Sequence, residues 1–256
     1  MILMNKASLI DYILHLADNS LIMGHRLSEW TGHGPILEQD IAISNIALDL
    51  IGQSRNFYQY AAQIKGDGST EDSLAYFRDA HEFKNFLLTE LPNGDWAKTI
   101  LKLFFFSTYQ YYLYQKLIGS SDKQLSAIAE KSLKEVTYHV RWSSEWVIRL
   151  GDGTEESKRR IENALEELWS YTGEMFIPVD YEVEAVKNKI GVDVISLKND
   201  WENKVKEIFD EATLSSPNGD GQELRQYGKA GKHTENLMTV LNDMQYLQRT
   251  YPGCEW

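Results

Sequence analysis

Apolar side chains recur every three or four residues along most of the chain. No run of period-two alternation closes on a tight hairpin turn, so the sequence predicts helices rather than strands. The first helix spans about Lys6 to Gly24 and gives way to a glycine-bearing connection running to Gly34-Pro35. A longer one covers about Leu37 to Ile64 and is closed by Gly66-Asp67-Gly68. Thr70 and Glu71 open a third, Glu71 to Leu88, which stops ahead of Pro92-Asn93-Gly94-Asp95. Trp96 to Ile118 and Asp122 to Leu150 follow, the latter ended by Gly151-Asp152-Gly153. Thr154 caps a sixth segment, with Glu155 and Glu156 in its first turn and Ile161, Leu165, Leu168 and Thr172 along one face.

Beyond Pro178 the periodicity weakens as far as Val194, and Asp193-Val194-Ile195-Ser196 reads as a short extended piece. Ser196 then caps a seventh segment on which Leu197, Trp201, Val205, Ile208 and Ala212 share a face. Ser215 to Gly221 has the strongest loop composition in the chain. A last helix, Lys232 to Arg249, turns Leu237, Leu241, Met244 and Leu247 inward.

Polar residues interrupt two of the long helices in a chemically suggestive way. Asn45, Asp49, Gly52 or Gln53, and Asn56 fall three and four apart, hence on one side of a helix. That stripe is either solvent-exposed or buried at a helix-helix centre. On the fifth segment Glu135 and His139 stand one turn apart, with Trp142 and Trp146 continuing their side. A carboxylate-bridged di-iron bundle draws one carboxylate from each of two helices and a Glu-x-x-His pair from each of the other two. This chain has no Glu-x-x-His. It offers Asp49 with Gly52, and Glu135 with Tyr138, at the places such pairs would take. Asp18 is the candidate carboxylate of the first helix, while Phe105 to Gln110 on the fourth contains Ser107 and no carboxylate. Hydroxyl and aromatic groups do not make the oxygen-rich shell that two irons need. The expectation is a degenerate site at Asp18, Asp49, Gly52, Ser107, Glu135, Tyr138 and His139, with no catalytic residue and no metal in this chain. Asp49, Glu135 and His139 are then expected to form a hydrogen-bond or ion-pair network, joined by Asp18 or Asn19, with Tyr138 and Arg55 available as partners. His15, His25, His33 and His81 lack partners at metal-ligand spacing and read as structural or exposed.

The architecture that accommodates these features is all-α, a ferritin-like helical bundle with additional C-terminal helices. It predicts a single domain over residues 1–256, with core helices at about 6–150 and additional helices at about 155–249. The blocks 37–64 and 122–150 are alike in length, as paired halves of such a core would be.

Bulk properties narrow the setting. With 26 Lys plus Arg against 38 Asp plus Glu, the net charge of −12 makes nucleic acid a poor partner. The single Cys254 rules out disulfide scaffolding and thiolate clusters within one chain and fits a reducing compartment. The most apolar run, Leu101 to Phe106, is far below the roughly 20 residues of a bilayer span, and the N-terminal residues do not read as an export signal. A cytoplasmic protein without a membrane segment is expected. Seven Trp, fourteen Tyr and nine Phe exceed what one modest core needs, so the run Tyr109 to Tyr114 is expected to reach an interface or a satellite core.

Longer ordered motifs carry a resemblance. They are Leu27 to Pro35, Ile46 to Phe57, Pro92 to Trp96, Lys134 to Arg141, Arg149 to Thr154, Gly228 to Glu235 and Met244 to Arg249. Through them the chain resembles, over nearly its whole length, the PaaC family, the structural subunits of the bacterial phenylacetyl-CoA epoxidase (monooxygenase) complex. The family's fourth helix often has an Asp where Ser107 stands. The resemblance implies a non-catalytic scaffold subunit in phenylacetate degradation. It also implies a homologous catalytic partner that holds the di-iron centre, a small accessory subunit, a flavin and iron-sulfur reductase, and phenylacetyl-CoA bound mainly by the partner. Two other classes compete with it: a stand-alone di-iron oxygenase or ferroxidase, and a small-molecule-binding helical module without an enzyme partner.

Overall fold

The computed structural model describes residues 4–217 and 227–254, and no strand occurs among them. In chain order the α-helices are α1 (Lys6–Ser28), α2 (Leu37–Lys65), α3 (Glu71–Tyr76), α4 (Leu87–Glu90), α5 (Trp96–Leu117), α6 (Lys123–Gly151), α7 (Glu155–Leu168), α8 (Asp180–Lys187), α9 (Lys198–Glu211) and α10 (Glu235–Thr250). Short 3₁₀ turns stand between several of them. The fold is all-α and ferritin-like, built on two pairs of long helices with additional helices after the second pair. The described residues fall into two compact units, one formed by 4–92 with 227–254, the other by 93–217.

The first unit is organised by the α1–α2 hairpin. The pair is antiparallel: Lys6 Nζ at the start of α1 donates to the Lys65 carbonyl at the end of α2, 3.0 Å. Asn5 caps α1 by accepting from the Ala7 amide, and α2 ends on Gly66 in the left-handed region (φ 62°). Gly24 does not end α1, contrary to the sequence expectation. A Cβ there would lie 3.1 to 3.3 Å from Ile51, the Ala47 carbonyl and Leu50, so its missing side chain serves close helix approach, and α1 continues to Ser28.

The predicted helix Glu71 to Leu88 is broken. Only α3 and α4 form, with a 3₁₀ turn at Ala80–Glu82 and extended backbone around Phe83 and Phe86. The cause is tertiary. Buried side chains of α1 bind the backbone of this segment: Asp18 accepts from the Lys84 amide (2.8 Å), Asn19 from the Phe86 amide (2.8 Å), and the His15 ring meets the Lys84 carbonyl at 2.7 Å. A continued helix would have consumed those amides internally.

In the second unit α5 and α6 form the other antiparallel hairpin, with Ser126 Oγ bonded to the Ile118 carbonyl at its turn and Trp96 packed edge-on against Trp142 and Trp146 at its far end. Asp95 and Asp122 cap the two helices. From Thr99 to Gln110 every residue of α5 is buried, the pattern of a helix enclosed on all sides. The additional helices give it a second aromatic core: Phe105 and Trp169 each lie within 5.5 to 6.5 Å of Trp201 and Phe209, and of each other, and Trp201 Nε1 donates to the Phe105 carbonyl. Within the run Tyr109 to Tyr114, Tyr109 and Tyr114 are buried, while Tyr111 and Tyr112 are half-exposed.

Two more boundaries and one facing differ from expectation. Residues 193–196 belong to a 3₁₀ turn, Val194–Leu197, initiated by Asp193, whose side chain accepts from the Ile195 amide; no extended piece forms. Ser196 therefore does not cap α9, because its hydroxyl bonds the Asp193 carbonyl instead. In α10, capped by Thr234, Leu237, Leu241 and Met244 are buried but Leu247 is exposed. The loop read at 215–221 is irregular through Pro217, and the rest of it lies outside the described residues.

Candidate functional site

The seven positions singled out by the missing ligands divide between the two units. Asp18, Asp49 and Gly52 belong to the first, and Ser107, Glu135, Tyr138 and His139 to the second. In the first unit Asp18 is fully buried on α1, and its carboxylate is committed. Arg78 binds both its oxygens, Nη2 to Oδ1 and Nη1 to Oδ2 at 3.1 Å. The Tyr58 hydroxyl of α2 donates to Oδ1 at 2.5 Å, and the Lys84 amide takes Oδ2. Arg78 also donates to the Leu74 and Glu82 carbonyls and lies over the Phe83 ring at 4.2 Å. Every donor of the buried guanidinium side is aimed at an oxygen, the arrangement that makes burial of such a pair tolerable. Burial pushes the Tyr58 phenol well above its usual range, and the Asp18 charge adds to that. Burial alone would lower the Arg78 pKa, but Asp18 and Tyr58 overcome it and hold the group firmly protonated.

Asp49 and Gly52 are only partly buried on α2. The polar stripe runs from exposed Asn45 through Asp49 to buried Gln53 and half-buried Asn56, so neither full exposure nor full burial describes it. Arg55 does not lean inward: its guanidinium pairs with Glu71 at 3.3 Å, and its side chain is 68 % exposed. Asn19, next to Asp18 on α1, is not part of that carboxylate's network and accepts instead from the Phe86 amide.

In the second unit Ser107 is buried and faces Ser143 of α6, hydroxyl to hydroxyl at 3.4 Å. His139 is buried, Glu135 half-buried, and Tyr138 turns outward, 38 % exposed beneath Arg141. Tyr138 is therefore not an inward partner. Among the described residues no three His, Cys, Asp or Glu side chains converge in a way that could hold a metal ion. The Asp18 oxygens are occupied by a guanidinium, a phenol and an amide.

A second buried ionic centre escaped the sequence reading. Glu90 in α4 has no exposed side-chain surface, yet its carboxylate accepts from the Thr234 amide (2.7 Å) and the Asn85 side chain (3.0 Å) and faces His233 Nδ1 at 2.8 Å. The other His233 nitrogen meets the Phe83 carbonyl at 2.9 Å. Both ring nitrogens thus face acceptors, which favours the imidazolium. Burial works against that charge, but the hydrogen bonds to Glu90 and Phe83 and the Glu90 charge outweigh it, and the His233 pKa is raised. Arg26 of α1 completes the centre by donating twice to the Glu90 carbonyl, at 2.8 and 3.1 Å. The glycines of the run Gly228 to His233 let it enter: a Cβ at Gly228 would fall 2.0 Å from the Asn85 carbonyl oxygen, and Gly231 (φ 75°) would meet the His81 carbonyl. That glycine spacing was the available signal, though nothing in it names Glu90. Of the remaining histidines, His15 is buried and structural, His25 is half-buried, and His33 and His81 are exposed.

The fold and these buried polar centres define an all-α, ferritin-like chain whose candidate metal-site carboxylate is engaged by protein groups. The chain belongs to the family of the phenylacetic acid catabolic protein, which matches residues 1–256. It is also 44 % identical, over 245 residues, to a subunit of the 1,2-phenylacetyl-CoA epoxidase of Escherichia coli (strain K12), covering 96 % of this chain and 98 % of that protein. No helix among the described residues is long and apolar enough to cross a membrane.

Proposed function

We propose that this chain is a non-catalytic scaffold subunit of a multicomponent ring 1,2-phenylacetyl-CoA epoxidase in phenylacetate degradation. The single observation that carries the reading is the Asp18 carboxylate: the first-helix position of a di-iron shell is filled by a bidentate Arg78 and the Tyr58 hydroxyl. A cation held this close opposes a second cation at the same oxygens. The likeness to a subunit of an epoxidase supports the assignment to such a complex.

In this reading the whole of 1–256 counts as one ferritin-like domain without a resident metal. A homologous partner carries the di-iron centre, binds most of the phenylacetyl-CoA, and is supplied with electrons by a reductase; the assembly also includes a small accessory subunit. The reading places the protein in the cytoplasm, which the single exposed cysteine, Cys254, supports. Anaerobic reconstitution with ferrous iron, followed by metal counting after gel filtration, tests it. Well under one iron per chain is expected. Two tightly held irons per chain would establish the alternative, a stand-alone di-iron oxygenase or ferroxidase.

A further inference from the structure

A cavity of about 440 Å³ opens among α5, α6 and α9 in the second unit, within the size range of small-molecule sites. Its walls are mainly apolar and aromatic: Val140 and Ile148 from α6, Ile208 from α9, and the half-exposed Tyr111 and Tyr112 from α5, whose rings meet edge to face at 5.3 Å. Two hydroxyls belong to the same lining. Thr108 is fully buried and Ser144 is 6 % exposed, and neither side-chain oxygen has a hydrogen-bond partner in the protein.

Hydroxyls inside helices can return to a carbonyl one turn back, and these two do not, as Ser54 and Ser132 elsewhere do not. Their neighbours do so. Thr137, lining the same cavity, bonds the Leu133 carbonyl at 2.7 Å, and Ser143, beside Ser144, bonds the His139 carbonyl at 2.7 Å. A buried hydroxyl without a partner is destabilising, and a ligand group that bonds it recovers that cost. The Thr108 and Ser144 hydroxyls, bonded to no helix carbonyl, belong to the cavity lining with their donor and acceptor capacity unspent. The charges at the rim are already balanced, Lys204 paired with Glu207 at 2.7 Å and Arg141 facing Glu145 at 3.9 Å. Two cations and two carboxylates leave the rim without net charge, which suits a neutral ligand.

We infer that this cavity is a binding site for a small neutral aromatic molecule bearing one hydroxyl or carbonyl group, its ring against the tyrosines and aliphatic walls and its polar group on Thr108 and Ser144. The inference stands independently of the scaffold assignment. Phenol and toluene, which match in shape and differ in the hydroxyl, are suitable probes for ligand-observed NMR titration of the full-length chain. Phenol should bind saturably and at least tenfold more tightly than toluene. In Thr108→Val/Ser144→Ala the preference should fall to within about twofold, while Arg141→Ala/Glu145→Ala at the rim should leave it in place. Ser144→Ala alone, which removes one oxygen and retains the helix, should lower it part of the way and serves if the double variant does not fold. Absence of saturable phenol binding, equal affinity for the two probes, or an undiminished preference in the folded hydroxyl-less variant would each overturn the proposal.

Discussion

Arg78 is the side chain on which the first unit turns, because it faces a carboxylate that has no solvent to retreat to. Removing one member of a buried pair leaves an uncompensated charge and costs about 3 to 5 kcal/mol, whereas replacing both by apolar groups is often neutral. Arg78→Met should therefore lose about that much stability in urea unfolding, and Arg78→Met combined with Asp18→Asn should recover part of the loss, because the amide oxygen still accepts from Tyr58 or Lys84 and no buried charge is left unpaired. Tyr58→Phe removes one hydrogen bond to the same carboxylate and should cost about 1.5 to 3 kcal/mol. If the double variant were as unstable as Arg78→Met alone, the ion pair would not be what the site requires. His233 makes the complementary case through pH. Its pKa is raised in the folded chain, so the stabilisation is complete below the unfolded value of 6.5 and is lost as pH rises through the folded value. Thermal unfolding followed from pH 6 upward should show a decline that His233→Gln abolishes; identical profiles would exclude this histidine as the cause.

Helices α1, α2, α5 and α6 were legible from apolar spacing because each supplies its own backbone hydrogen bonds, and the glycine-rich stretches after α2 and α6 marked their ends. The stretch 71–88 was not, since its amides and carbonyls answer to Asp18, Asn19 and His15, far away in sequence. Gly24 misled for a related reason: glycine as helix terminator and glycine as point of close contact look alike in one dimension. The two roles separate by substitution. Gly24→Leu should destabilise by about 1 to 3 kcal/mol, since added atoms meet Ile51 and Leu50 in a packed interface, while Gly24→Ala should cost little because improved helix propensity offsets a contact of 3.1 Å. A tolerated leucine would mean that α1 and α2 do not pack as closely as this. Gly228→Ala faces a harder obstacle, backbone oxygen at 2.0 Å, and should expose α10 to hydrogen exchange by displacing the segment that seats His233.

For the chain as an assembly component, the expected outcome is recovery in a stable complex when it is co-expressed with a homologous di-iron subunit, and no turnover of phenylacetyl-CoA by the chain alone. A chain that stays solitary while the homologue is soluble and fully active without it would refute the scaffold role. Helical class, the Thr154 cap of α7, the absence of Glu-x-x-His pairs and the family resemblance could all be read from residue order, because they depend on local spacing or on the presence of particular side chains. Which carboxylate finds which cation could not. Asp18 and Arg78 are sixty positions apart and Glu90 and His233 are 143 apart, and neither pairing leaves a periodicity behind. Such pairs are selected by the low dielectric of the packed interior, where a charge must meet a partner wherever the chain has brought one, and only the folded arrangement records that choice.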